Sequence, residues 1–169
     1  MSFPFGGKII VLFHTFILIC CVCFANDNLF KQARALQRDG KYEEAIAAFK
    51  GYLSQPILEN VLSDEQMAMY TDALVQLMNS FQSKGESEAC ITTLKEVFKA
   101  LTDKKKNCLR DYYSVMGYAL SRTEKMKDAE ETMFKALAIP LHQATPERYF
   151  RDYAYAAAVF YSNTDCQIQ

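Results

Sequence analysis

An all-α chain is predicted by three features of the sequence. Apolar residues recur at helical spacing from Leu29 onward. No run alternates β-branched and polar residues, and no Asn-Gly dipeptide marks a hairpin. Glycine and proline are scarce, six and four residues, and Gly40, Pro56, Gly85, Pro140 and Pro146 fall at breaks between the periodic segments rather than inside them.

The periodicity places helices near 27–38, 42–54, 64–83, 87–101, 107–122, 127–138 and 146–162. The first two are separated by Asp39-Gly40, the third and fourth by Lys84-Gly85, both suited to a left-handed helix stop. Ser63-Asp64-Glu65-Gln66 reads as a capping box, with a Ser at the cap and a Gln three residues on. Thr145-Pro146-Glu147 offers a capping Thr, a Pro at the first helical position and an acid in the first turn.

Residues 1–25 stand apart. They hold 18 apolar residues and one charge, Lys8, followed by the apolar run Ile9–Phe24 and the small residue Ala25. Basic start, apolar stretch and small residue are the layout of a secretory signal, with cleavage expected after Ala25. An uncleaved anchor is the rival reading, although the 16-residue run falls short of the ~20 residues that span a bilayer. Lipid modification at Cys20, Cys21 or Cys23 is disfavoured by the large residues Ile19 and Val22 before them. The rest of the chain, residues 26–169, has 18 basic and 20 acidic side chains, a net charge of -2. That balance lacks the basic face of a nucleic-acid binder. Cys90, Cys108 and Cys166 remain, an odd number without CxxC spacing, so neither a disulfide framework nor a zinc site is expected.

The helices pair into repeats. Ala45, Cys90 and Ala129 each follow a tight turn and precede a large apolar residue four positions later, Phe49, Leu94 and Met133. The small residue admits a neighbouring helix closely, and the large one fills the gap beyond it on the same face. This pattern resembles the tetratricopeptide repeat (TPR), a 34-residue helix–turn–helix unit. The first-helix positions of that family are answered by Tyr113, Met116, Gly117 and Leu120, by Leu29, Gln32, Ala33 and Leu36, and by Leu74, Leu77, Met78 and Phe81. Met78 and Cys90 depart from the family pattern. Repeats fall at about 26–59, 71–104 and 110–143, with a half repeat at 146–165. In the half repeat Arg151-Asp152-Tyr153 mirrors Arg110-Asp111-Tyr112 at an offset of 41. The resemblance implies a right-handed superhelical solenoid of about three and a half repeats. A half repeat ending in an apolar helix suggests the front end of a longer repeat protein; a short chain whose last helix packs on itself or on a partner is the alternative.

The same resemblance implies that a protein or peptide partner lies in the groove lined by the first helices. It points to Asp72, Asn79, Asp111, Tyr118, Asp152 and Tyr155. The Lys/Asn/Arg clamp that holds a C-terminal carboxylate in some family members is replaced by Phe30, Arg34, Gln76, Asp111 and Val115. Asp27, Asp72, Asp111 and Asp152 recur at one repeat position. They read either as an acidic ladder for a basic peptide or as acids favoured by helix dipoles. The cluster Tyr112, Tyr113, Tyr118, Tyr149, Phe150, Tyr153 and Tyr155 reads mainly as core, with Tyr118 and Tyr155 facing the groove, and Lys104-Lys105-Lys106 reads as a solvated loop.

No GxSxG, HExxH or phosphate-cradling glycine loop occurs, and the acid pairs Glu43-Glu44 and Glu130-Glu131 lie on expected solvent faces. The expectation is a non-enzymatic scaffold, exported to a periplasmic or other extracytoplasmic space, with no cofactor, metal or nucleic acid. Contact with membrane is expected only through the signal segment or a missing C-terminal region. Signal segment plus TPR array resembles the N-terminal sensing region of membrane-anchored bacterial regulators with histidine kinase or helix-turn-helix outputs. A stand-alone secreted adaptor for envelope proteins is the alternative, while the signal segment and the missing clamp oppose a cytosolic cochaperone.

Overall fold

The structure, a computed structural model, describes residues 28–55, 63–99, 108–140 and 146–165, and in the last helix the side chains of residues 151–152 and 154–161. The expected signal segment with its expected cleavage position, Asp27, Pro56, Lys104–Lys106, Thr145 and Cys166 lie outside the described residues. Among those described, the chain is entirely helical. The helices are α1 (28–38), α2 (Tyr42–Leu53), α3 (Asp64–Lys84), α4 (Ser87–Lys99), α5 (Leu109–Ser121), α6 (Met126–Ala138) and α7 (Pro146–Asp165). None of them is long and apolar enough to cross a membrane.

Local chemistry sets the helix ends. Gly40 and Gly85 adopt φ of +73° and +72°, the left-handed region where a side chain is strained. The N–H of Gly40 reaches Gln37 O and that of Lys41 reaches Leu36 O; Gly85 and Glu86 repeat the arrangement with Gln82 O and Phe81 O. Both turns are therefore Schellman closures that satisfy the last carbonyls of the preceding helix. The α5–α6 turn has no glycine and no positive φ. There the Thr123 hydroxyl donates to Leu120 O at 2.7 Å and accepts from Lys125 N at 3.3 Å. At the start of α3 the capping box forms as predicted: Gln66 N donates to Ser63 Oγ at 3.2 Å and Ser63 N to Gln66 Oε1 at 2.8 Å.

The helices contact their near neighbours in order. α2 packs on α3 and touches α4; α3 packs on α4 and α5; α4 packs on α5; α5 packs on both α6 and α7; and α6 packs on α7. α1 meets α2 through Phe30, whose ring lies 6.2 Å from Phe49 and 5.5 Å from Tyr52. The small–large pairs are buried as their spacing requires. Ala45, Phe49, Leu94, Ala129 and Met133 are wholly inaccessible and Cys90 nearly so. Each fully buried large apolar side chain contributes roughly 1.5–3 kcal/mol of transfer free energy.

The α5–α6 pair is the most intimate. A Cβ built on Gly117 would stand 3.3 Å from Ala129 O, Met133 N and Met133 Cε, tighter than nearly all real Cβ contacts, so α6 approaches closely over this glycine. The equivalent position in α3 is Met78, itself buried. Tyr112 is buried and stacks on Phe98 at 4.7 Å, with Tyr113 tilted against both, which puts these members of the aromatic cluster in or beside the core.

Candidate groove on the odd-numbered helices

The six residues singled out from the sequence lie on α3, α5 and α7, with α5 in contact with each of the other two. Their surroundings divide them. Asp72 is accessible, with 42% of its side chain exposed; it accepts a hydrogen bond from Gln76 Nε2 at 2.9 Å and faces Arg34 of α1 at 3.9 Å. Asn79 is half-buried on the same helix, two turns on.

Asp111 and Asp152 are instead almost wholly buried, at 3% and 1% exposure. A carboxylate taken out of water must be paired and hydrogen-bonded, and both are. Asp111 accepts from Thr71 Oγ1 of α3 at 2.8 Å and from the guanidinium of Arg151 on α7. Asp152 accepts from Arg110 Nε of α5 at 2.9 Å and from Arg151 at 3.2 Å. Arg110 also donates to Ile139 O, the carbonyl at the end of α6. Two carboxylates and two guanidiniums make a neutral crossed cluster that binds α5 to α7, and Thr71 extends it to α3. The ladder position thus holds one solvated carboxylate and two buried ones. The arginines account for the burial of both; Asp111 also stands in the first turn of α5, where a helix dipole favours an acid, whereas Asp152 lies deeper inside α7.

Tyr118 and Tyr155 come together as a stacked pair across α5 and α7, with ring centres 4.4 Å apart and planes inclined by 13°. Both are partly buried against the core. Burial raises the Tyr155 hydroxyl above its ordinary value, with Tyr118 and Asp152 adding to the effect and Arg151 opposing it. Between α1 and α3, Gln37 Nε2 donates to Gln76 O and to Ser80 Oγ, both at 3.1 Å. Val115, at one of the clamp positions, is fully buried. Ser114 Oγ and Arg151 Nε are buried without a hydrogen-bond partner, and both adjoin the Asp111–Asp152 cluster in sequence.

In the sequence, Arg110-Asp111 and Arg151-Asp152 align as repeats of each other, but nothing there pairs them across helices. The available signal was the recurrence of an Arg-Asp dipeptide at the repeat spacing, since side chains one repeat apart on adjacent helices face each other. Thr71-Asp72 is the same position in the preceding repeat, with a hydroxyl in place of the guanidinium.

Among the described residues no group of three or more His, Cys, Asp or Glu is placed to hold a metal ion. Cys90 is buried, and desolvation pushes its thiol up to about 12, which suppresses the nucleophilic thiolate at neutral pH. No protein family, curated protein or solved structure matches this chain.

Proposed function

We propose that this chain is a non-enzymatic TPR-like scaffold, a helical-hairpin solenoid of about three and a half repeats that holds a protein or peptide partner. The observation that carries this reading is the order of helix contacts. α3 meets α5 and α5 meets α7 as well as the helix between them, and such contacts support the nearest-neighbour stacking expected in a solenoid. The small residues Ala45, Cys90 and Ala129, buried beneath their neighbouring helices, support it.

In this reading the partner lies along α1, α3, α5 and α7. Asp72, Asn79 and the Tyr118–Tyr155 stack make the contacts, and Asp111 and Asp152 hold the helices in register beneath them. Stacked tyrosines offer a flat apolar surface with polar edges, a common anchor in interfaces. The layout of residues 1–25 supports export. The wider proposal is that the chain is the exported N-terminal sensing part of a bacterial signal-transduction regulator.

A peptide library displayed against the full chain tests the groove. Ligands should lose binding with Tyr118→Ala or Asp72→Lys and keep it with Glu131→Lys, on the exposed face of α6. Equal loss with Glu131→Lys, or none with Tyr118→Ala, would contradict the assignment of the groove to the odd-numbered helices.

A further inference from the structure

The outward face of α7 differs from those of the even-numbered helices. Those helices expose charges: Glu43 and Lys50 on α2, Glu88 and Lys95 on α4, Glu131 and Lys135 on α6. In α7 no charged residue occurs between Asp152 and Asp165. Ala154 is exposed, Ala157 and Ala158 are half-buried, and Tyr161 is 74% exposed. At 100° per residue these four lie within one arc of the helix surface, bounded along the helix by Glu147 and Asp165 on the same arc. Beside them α6 exposes Phe134, at 56%, and Leu137, at 42%, and the Phe134 ring lies 5.3 Å from Phe160 of α7. The apolar surface is therefore continuous with the α6–α7 interface. An uncharged apolar stretch of helix surface is normally a covered one.

The chain itself shows what such a face accepts. At the offset of 41 that relates α5 to α7, Ala158 stands where Gly117 stands, and Gly117 receives Ala129 and Met133 of α6. Ala157 and Tyr161 repeat the small-then-large spacing of Ala129 and Met133. One face of α7 thus carries both the shallow socket and the knob that fills it. A surface that is its own complement is what a two-fold contact requires.

We propose that α7 pairs antiparallel with α7 of a second copy of this chain, about a two-fold axis between Ala157 and Ala158. Tyr161 of each copy then covers Ala154 of the other, and the alanines at the centre let the helices approach closely. Residues near such an axis meet their own kind, so the absence of charge from this face removes the like-charge repulsion that would oppose pairing. Phe134 and Leu137 close the edges. A stable dimer buries about 800 Å² per partner; two turns of helix with two flanking side chains give less, so the dimer is weak and depends on concentration. The proposal is independent of the groove, which lies on other residues.

Sedimentation equilibrium of the full chain, from low to high micromolar concentration, tests it. A monomer–dimer equilibrium is expected. Ala154→Lys and Tyr161→Glu, both at exposed positions, should each weaken dimerisation at least about tenfold while leaving helicity by circular dichroism unchanged. The double variant should dimerise again, because Lys at position 154 of one copy then meets Glu at position 161 of the other. A chain that stays monomeric at every concentration, a dimer indifferent to the single changes, or a double variant no better than either single change would overturn the proposal.

Discussion

Two seams run between the helices, and they use the same kinds of charge differently. Along the even-numbered helices the pairs are solvated: Lys50 with Glu96 at 2.5 Å, and Lys125, just before α6, with Glu88 at 2.6 Å, all with roughly half of each side chain exposed. Between α5 and α7 the charges are sunk. Asp111 and Asp152 retain 4% and 2% side-chain exposure, and Arg110 and Arg151 only 11% and 18%. Water screens the first seam and makes each pair nearly dispensable. The second has no water to fall back on, so every carboxylate must find its arginine. Acidic residues at one repeat position are therefore not one functional set. Each meets a guanidinium from another helix, and what separates them is burial: the side chains of the Asp72–Arg34 pair are 42% and 41% exposed, and those of the Asp111 and Asp152 pairs are not.

The contrast between the seams is sharpest where the buried one is broken. Asp111→Ala leaves Thr71 without its acceptor and Arg151 with only Asp152, and should destabilise the chain by about 3 kcal/mol in urea unfolding. Packing beside that seam comes next. Gly117→Ala forces a Cβ against α6 backbone and should cost about 1–3 kcal/mol, read as a lowered unfolding midpoint with an unchanged denaturant slope.

Buried groups also set the alkaline limit. Burial raises the Cys90 thiol from 9.0 to about 12 and raises the hydroxyls of Tyr70 and Tyr112 above the ordinary 10.0. The folded state therefore keeps protons that the unfolded chain releases. Stability should be flat below pH about 9, where the unfolded thiol begins to ionise, and fall as pH rises beyond it. Cys90→Ala should move that onset up to about pH 10, at a cost near 1 kcal/mol at neutral pH for the lost packing. An onset that stays put would remove Cys90 from the account. The smallest effect belongs to the solvated seam: Lys125→Ala should change stability by less than about 1 kcal/mol, and a loss as large as that of Asp111→Ala would erase the distinction between the seams.

Much of the helical framework was legible because its signals are local. The Ser63–Gln66 box, the two left-handed glycines and the small–large spacing each act within a few residues, and the helix ends fall within two residues of their expected places, apart from α7, which runs three residues further, to Asp165. The α5–α6 turn was legible only by analogy with the others, since Thr123 does there what glycine does at positions 40 and 85. The candidate groove was less legible. Asp72, Asp111 and Asp152 look alike in sequence, and their difference arises from Arg110 and Arg151, about forty residues from the carboxylates they serve. Which of two like residues is buried is decided by the fit of neighbouring helices, which no local pattern encodes.

The central claim is that the buried charges between α5 and α7 belong to the fold and act as a unit. A double-mutant cycle on Asp111→Ala and Arg151→Ala, followed by urea unfolding, measures that coupling directly. A coupling energy above about 1.5 kcal/mol is predicted for a desolvated pair, against a few tenths for independent sites. A cycle that closes to within about 0.5 kcal/mol would mean that Asp111 and Arg151 act separately, and that the buried seam is no different from the solvated one.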